Sequence, residues 1–249
     1  MALQTHTDQM GREVTFNFPP RRVVSLVPSL TEMLCDLGVE LVGRTRFCIH
    51  PTEQVKKLPS VGGTKDFKVD RIVDLRPDLV IGNKEENYRE GIEALEQHVP
   101  VWMTDINTIS DSLQVWTDFG EITNTTQEAK KIRSSVEQKL ASLKSTKTGE
   151  VLYLIWYKPW MAAGSQTYID EFLSHLGYSN VITDSRYPEL TLEQMRDLSP
   201  EKILLSSEPF PFKAKHQREL ELLFPESKVE LVDGEAYSWY GSRLLKVGI

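Results

Sequence analysis

Two ten-residue segments in opposite halves of the chain repeat one pattern without a gap. Residues 69–78, VDRIVDLRPD, align with residues 192–201, LEQMRDLSPE, so that acidic, leucine and proline positions coincide. Each segment predicts a short helix that ends before a proline and leads into an apolar strand. A second pair, EMLCDLG at 32–38 and EFLSHLG at 171–177, occurs in the same order. The repeat predicts two pseudo-symmetric lobes built on one plan.

Both halves alternate apolar strands with amphipathic helices. The predicted strands are 22–27, 40–44, 79–82, 99–104, 151–156, 181–182, 203–206 and 229–232. The predicted helices are 29–37, 69–75, 88–98, 168–176, 192–198 and 214–223. The first of them begins at Ser29-Leu30-Thr31-Glu32, which matches a capping box. This alternation predicts an α/β fold with parallel sheets that helices cover on both faces.

A different segment connects the two halves. Thr125-Thr126-Gln127-Glu128 matches a second capping box, and apolar residues follow at helical spacing up to Leu143. The predicted helix has about 20 residues and a length of roughly 30 Å, enough to run from one lobe to the other. The alternative is an ordinary crossover helix within a single sheet. With the repeat favouring two lobes, we expect an N-terminal lobe at 1–122, a connecting backbone helix at 123–147 and a C-terminal lobe at 148–249.

Composition excludes several classes of protein. The 249 residues carry a formal net charge of −7, so the chain has no basic surplus for a nucleic acid. No apolar stretch approaches the ~20 residues of a membrane span. The first residues lack the basic and apolar regions of a signal peptide. We therefore expect a cytoplasmic protein if the sequence is native, and an extracytoplasmic one if a leader has been trimmed.

The common catalytic and metal-binding motifs are absent. The chain has no phosphate-binding glycine loop, no paired Cys-x-x-Cys and no His-Glu-x-x-His, and its five histidines are scattered. We accordingly predict no catalytic residue, no metal ligand and no intrinsic cofactor. The alternative from another class of function is a cytosolic α/β enzyme that would use a cleft between the two lobes.

Aromatic residues cluster in loops that follow predicted strands. Loops at the carboxyl ends of parallel strands line the ligand crevice of α/β proteins, and rings there supply apolar contact area with polar tips. The alternative for any single ring is packing on the rim of the core. These clusters lie at 47–51, 156–160, 187–188 and 237–241.

Short motifs occur in a fixed order along the chain, at 22–32, 42–43, 59–63, 75–81, 163–164, 176–181 and 239–244. This ordered set resembles the helical-backbone metal-chelate receptors, the substrate-binding proteins of ABC importers for cobalamin, ferric siderophores and haem. The resemblance covers nearly the whole chain and is greatest to the cobalamin-binding branch. It implies two lobes joined by one long backbone helix, with a ligand cleft between the lobes.

The resemblance also implies residue roles. The ligand, a corrinoid first and then a ferric siderophore or haem, would be held by rings and not by protein–metal bonds. The residues at the matching positions are Phe47, His50, Trp160, Tyr187, Tyr237, Trp239 and Tyr240. Asn83 stands where the cobalamin receptors carry an aromatic residue. Asp70 and Glu193 would meet arginines of an ABC permease in the inner membrane. We expect a monomer that binds no nucleic acid; a stand-alone soluble corrinoid binder is the alternative without a transporter.

Overall fold

The computed structural model describes residues 2–144 and 149–248, which form two compact units. The first unit contains the described residues up to Ile106, then Ser110–Glu137 and Gly241–Leu245. The second unit contains Asn107–Ile109, the described part of Gln138–Tyr240, and the described residues from Lys246. Residues 145–147 of the predicted connector lie outside the described residues. The lobe boundaries drawn from the sequence stay predictions.

Twelve helices and strands lie between the start of the described chain and Leu143. They are β1 (Ala2–Thr7), β2 (Glu13–Phe18), β3 (Val23–Ser25), α1 (Pro28–Asp36), β4 (Leu41–Arg44), α2 (Thr52–Val55), α3 (Val69–Asp74), β5 (Leu79–Asn83), α4 (Arg89–Glu96), β6 (Val101–Thr104), α5 (Ile109–Ile122) and α6 (Thr126–Leu143). Strands β3 to β6 form a parallel sheet in the order β4-β3-β5-β6. The apolar residues of β3 and β5 are fully buried, as expected for a sheet covered on both faces.

A hairpin that the sequence did not indicate opens the chain. Strands β1 and β2 pair antiparallel from Ala2 opposite Phe18 to Thr7 opposite Glu13. The buried carboxylate of Asp8 holds the turn, because it accepts hydrogen bonds from the backbone N–H of Arg12 at 2.9 Å and of Met103 at 3.1 Å. Asp8 thereby attaches the hairpin to β6.

Helix α6 corresponds to the predicted connector and has 18 residues. Its residues through Glu137 belong to the first unit, and Gln138 and those after it belong to the second. Ala129, Val136 and Leu140 are buried, which matches the predicted apolar stripe. Helix α5, directly before it, was not predicted. Within the described residues, no helix combines the length and hydropathy that a membrane span requires.

The second unit and the chain end hold the remaining elements. They are β7 (Gly149–Trp156), β8 (Trp160–Ala162), α7 (Tyr168–His175), β9 (Tyr178–Asn180), β10 (Glu189–Leu190), α8 (Leu192–Asp197), β11 (Lys202–Ser206), α9 (Ala214–Leu223), β12 (Lys228–Val232), α10 (Gly234–Ser238) and α11 (Arg243–Lys246). The sheet order is β10-β8-β7-β11-β12, with β9 also paired to β7. Strand β8 runs antiparallel to both of its neighbours, β7 and β10, so this sheet is mixed. The expectation of a parallel sheet is wrong here, because the short turn between β7 and β8 permits only an antiparallel pair.

The repeat seen in the sequence is present in the structure. Helices α3 and α8 have six residues each, and each places one fully buried residue, Ile72 or Met195, on the core. Arg76 and Ser199 then adopt left-handed backbone at φ 47° and 45°, directly before the two prolines. Helix, left-handed residue, proline and buried strand therefore follow in the same register in both units. The two α/β units confirm the predicted fold class.

The capping box predicted at Ser29 is wrong. The residue before α1 is Val27, no side chain caps the helix, and Pro28 occupies its first turn. Glu32 is buried and binds the guanidinium of Arg243 instead. A proline at the first helical position needs no donor partner, which lets the glutamate serve elsewhere.

Candidate functional site

The loop after β4 presents two exposed apolar side chains at the carboxyl edge of the four-stranded sheet β4-β3-β5-β6. Phe47 and Ile49 are 50% and 49% exposed, while Cys48 between them is buried. The Cys48 sulfur lies 2.9 Å from the Thr31 hydroxyl and 3.1 Å from that of Thr45. Burial of the thiol fixes the loop, and its neighbours must therefore project outward.

Charged groups accompany Phe47. The Arg46 guanidinium carbon lies 4.8 Å from the centre of the Phe47 ring, and its Nη1 donates to Asp66 at 3.1 Å. That hydrogen bond lowers the pKa of the Asp66 carboxyl. His50 is half-buried at the end of the same loop.

Asn83, at the end of β5, is internal. Its side-chain oxygen accepts from the backbone N–H of Glu85 at 2.9 Å and of Glu86 at 3.1 Å, and its amide donates to Thr104 at 3.0 Å. Asn83 therefore holds the turn after the strand and offers no surface to a ligand.

An aromatic surface lies at the carboxyl end of β7 in the second unit. Trp156 is 40% exposed and meets Phe210 edge to face at 5.8 Å between ring centres. Phe210 in turn stacks on Tyr157 at 5.5 Å. The Tyr157 hydroxyl donates to Glu219 at 2.9 Å, and the Lys158 ammonium lies 4.6 Å from the Tyr157 ring centre. Both polar contacts hold this ring in place.

Trp160 lies beneath this surface. It is buried among the core residues of the second unit and meets Tyr157 edge to face at 4.9 Å. Strand β7 carries one extra residue between Leu154 and Trp156 where it pairs with β8. Trp160, predicted as a ligand contact, thus supports Tyr157 from the core side.

Tyr237 and Tyr240 are also buried. Tyr237 packs at 5.4 Å from Tyr153 and 5.8 Å from Phe172, and burial raises the pKa of its hydroxyl to about 12. Tyr240 meets Tyr168 edge to face at 5.6 Å. These two candidates form part of the packing of the second unit.

Trp239 is fixed by a carboxylate. Its indole Nε1 donates to Glu208 Oε1 at 2.7 Å, and the Ser238 hydroxyl donates to the same oxygen at 2.7 Å. Burial raises the pKa of Glu208, and the nearby charges of Glu235 and Asp233 raise it further, against the two hydrogen bonds. Glu208 lies two residues after β11, at the carboxyl edge of the sheet.

Tyr187 keeps part of its ring accessible. It is half-buried, with the Arg186 guanidinium carbon 5.7 Å from its ring centre. Arg186 donates to the Gln166 carbonyl at 2.8 Å and to the Asn107 side chain at 2.9 Å, which fixes the guanidinium against the ring.

The two acidic residues assigned to a permease occupy equivalent places. Asp70 lies in the first turn of α3 and Glu193 in the first turn of α8, and both are exposed. Within the part of the chain that the structure describes, neither carboxylate forms an ion pair.

The structure brings three residues to these edges that the sequence did not assign to the site. Phe210 and Glu208 were not noticed, and Trp156 was included in an aromatic cluster from which Trp160 was chosen. A signal existed for Trp156, which closes a predicted strand, whereas nothing in the sequence separates Glu208 from other loop acids. Among the described residues, no group of three or more His, Cys, Asp and Glu side chains could hold a metal ion.

Comparisons with known proteins agree with this architecture. The profile of a family described as periplasmic binding protein matches residues 23–221. The vitamin B12-binding protein of Pectobacterium carotovorum is 25% identical over 201 residues, which cover 76% of this chain and 72% of that protein.

Solved structures show the same fold. The periplasmic vitamin B12-binding protein of Vibrio cholerae has a TM-score of 0.81 at 21% identity, covering 92% of this chain and 94% of that one. The periplasmic haem-binding protein of Roseiflexus has a TM-score of 0.79 at 20% identity, covering 91% and 94%.

Proposed function

Since the chain belongs to the periplasmic binding protein family, we propose that it is the substrate-binding protein of an ABC importer for a metal chelate. A corrinoid is the first candidate ligand, ahead of haem or a ferric siderophore, because the relative from Pectobacterium is named for vitamin B12 binding. We propose that the protein acts outside the cytoplasm, as the description of its family as periplasmic indicates.

The position of exposed aromatic rings carries this proposal. Among the described phenylalanines, tyrosines and tryptophans, Phe47 and Trp156 are the most exposed, at 50% and 40%. Phe47 follows the carboxyl end of β4 and Trp156 closes β7, so each lies at the edge of its own sheet where α/β proteins bind ligands. Exposed rings cost solvation free energy, and a macrocycle with apolar faces would recover it.

Ring removal tests the proposal. Phe47→Ala and Trp156→Ala should each weaken chelate binding by about 1–3 kcal/mol, the range for losing a well-packed ring contact. Because both side chains are exposed, the thermal midpoint should stay nearly unchanged. Leu222→Ala is the matched control, since Leu222 is 85% exposed on α9 and lies in neither edge loop.

Binding should be measured by calorimetry and absorbance with cyanocobalamin, haemin and a ferric tris-catecholate. A wild-type protein that gives no heat and no spectral change with any of the three would overturn the assignment. Equal losses in the Leu222→Ala control would show that the rings are not specific contacts.

We further propose that Asp70 and Glu193 contact arginines of the permease. Both are exposed, and the repeat places them at the same position of α3 and α8. Asp70→Asn with Glu193→Gln should leave chelate affinity unchanged and reduce association with the transporter, most strongly at low salt.

A matched pair of charges is available as the control. Asp74 and Asp197 are exposed acids at the last residue of the same two helices. Asp74→Asn with Asp197→Asn removes two charges as well, and we expect it to leave association intact. If the first double variant lowers the thermal midpoint and leaves association intact, the two acids only stabilise their helix ends.

A further inference from the structure

The carboxylate of Glu208 has one oxygen occupied and one open. Oε1 accepts from both the Trp239 indole and the Ser238 hydroxyl. No described residue donates a hydrogen bond to Oε2. A carboxylate can accept about four hydrogen bonds, so Oε2 keeps its capacity for a donor on an incoming molecule.

The backbone around Glu208 fixes this arrangement. The Glu208 backbone N–H donates to the Ser206 side chain at 3.3 Å. A Cβ on Gly234 would lie 2.7 Å from Glu208 Cγ, so only glycine lets α10 approach this closely. The carboxylate is therefore placed by its own loop and by α10, and it need not move to meet a ligand.

Two acidic neighbours act on Glu208. The charges of Glu235 and Asp233 both raise the pKa of its carboxyl. When Glu208 is ionised, a ligand group that approaches Oε2 must bring an N–H or O–H donor. A ligand carboxylate or catecholate would meet like charge in a partly desolvated place, where such repulsion is strong.

We propose that Glu208 is a specificity-determining residue that selects chelates with amide N–H donors on their rim over chelates with anionic rims. This inference rests on the proposed function. The amide-bearing class includes the corrinoids with their carboxamide side chains, and the rejected class includes haem with its propionates and the anionic catecholates. In the same position Glu208 acts as a positioning residue for the Trp239 ring.

The test compares ligand selectivity in two variants. Glu208→Gln removes the charge but keeps an acceptor for Trp239, so the ratio of corrinoid to haemin affinity should fall by about tenfold or more, mainly through tighter haemin binding. Glu208→Met removes the acceptor too and should weaken corrinoid binding relative to Glu208→Gln. Glu226→Gln, which removes an exposed charge between α9 and β12, is the control and should leave the ratio unchanged.

The outcomes separate the two proposals. A wild-type protein that binds cyanocobalamin or haemin, with the same affinity ratio in Glu208→Gln, overturns the role of Glu208 alone. A wild-type protein that binds neither overturns the proposed function and this inference with it. A ratio that falls equally in Glu226→Gln shows a general charge effect and also refutes the specific role.

Discussion

A buried ion pair attaches the end of the chain to the first unit. Arg243 Nε donates to Glu32 Oε2 at 3.0 Å, and Nη2 donates to Oε1 at 2.9 Å. The two side chains are only 9% and 3% exposed. This is the bidentate geometry in which arginine binds a carboxylate most strongly. Ser242 also donates to Asp36, so α11 is held on α1 by polar contacts on neighbouring residues.

Removal of one partner of this ion pair should lower the free energy of unfolding substantially. Arg243→Met leaves the Glu32 carboxylate buried without its bidentate donor, and Glu32→Met leaves a buried guanidinium. Each single variant should lose about 3–5 kcal/mol, a large share of the ~5–15 kcal/mol that stabilises an ordinary domain. The double variant removes both charges and places two apolar chains together, so it should be more stable than either single variant.

Urea denaturation followed by tryptophan fluorescence measures these differences. Arg89→Met is the control, because Arg89 pairs with Glu93 at 2.6 Å on the exposed surface of α4, with side chains 86% and 55% exposed. The Arg89→Met variant should leave the free energy of unfolding nearly unchanged, because solvent screens an exposed ion pair. Single variants that each lose less than about 1 kcal/mol would refute the reasoning, as would a double variant that loses the sum of the two.

Three further predictions rest on local geometry. Because the pKa of Glu208 is raised in the folded protein, its contribution to stability is present below about pH 4 and is lost as the pH rises. Glu208→Gln should therefore raise the thermal midpoint, relative to wild type, at pH 8 and not at pH 4. Gly241→Ala should cost about 1–3 kcal/mol more in denaturation than Gly11→Ala. Both glycines have positive φ, but only the added Cβ of Gly241 would lie within 4 Å of other atoms, as near as 2.6 Å. Burial raises the pKa of the Cys48 thiol, so mass spectrometry after alkylation of the native protein should find Cys35 modified and Cys48 modified only after denaturation.

The repeat was predictable from sequence because local rules determine it. Apolar periodicity places Ile72 and Met195 inward, and a proline ends each helix whatever surrounds it. The first hairpin was not predictable in the same way. Every residue of β1 except His6 is exposed, so the strand has no alternation of apolar and polar residues, and only its pairing with β2 defines it.

The exposure of Trp156 depends on a bulge in β7, which the sequence does not show. Trp156 and Trp160 lie four positions apart in one aromatic run, and the sequence favoured Trp160. The extra residue in β7 between Leu154 and Trp156 breaks the alternation of side chains along the strand, and the structure leaves Trp156 exposed and Trp160 buried. Such a bulge arises from the pairing with β8, which no single-strand pattern contains.

The turns that follow β5 and β11 also share a feature. Asn83 and Ser206 are the last residues of β5 and β11, and each side chain accepts a hydrogen bond from the backbone N–H two residues later. The residues that donate are Glu85 and Glu208, so the same turn presents a glutamate in both units.

The second of these glutamates accepts a hydrogen bond from an aromatic ring, the indole of Trp239. In our proposal, ligand recognition depends on residues after the strands, such as Glu208. The exposed acids Asp70 and Glu193 lie on the helices before those strands, where the repeat is retained. Because a strand separates the two sets in each unit, substitutions at Asp70 and Glu193 should leave the ratio of corrinoid to haemin affinity unchanged. Glu208→Gln should leave transporter association unchanged.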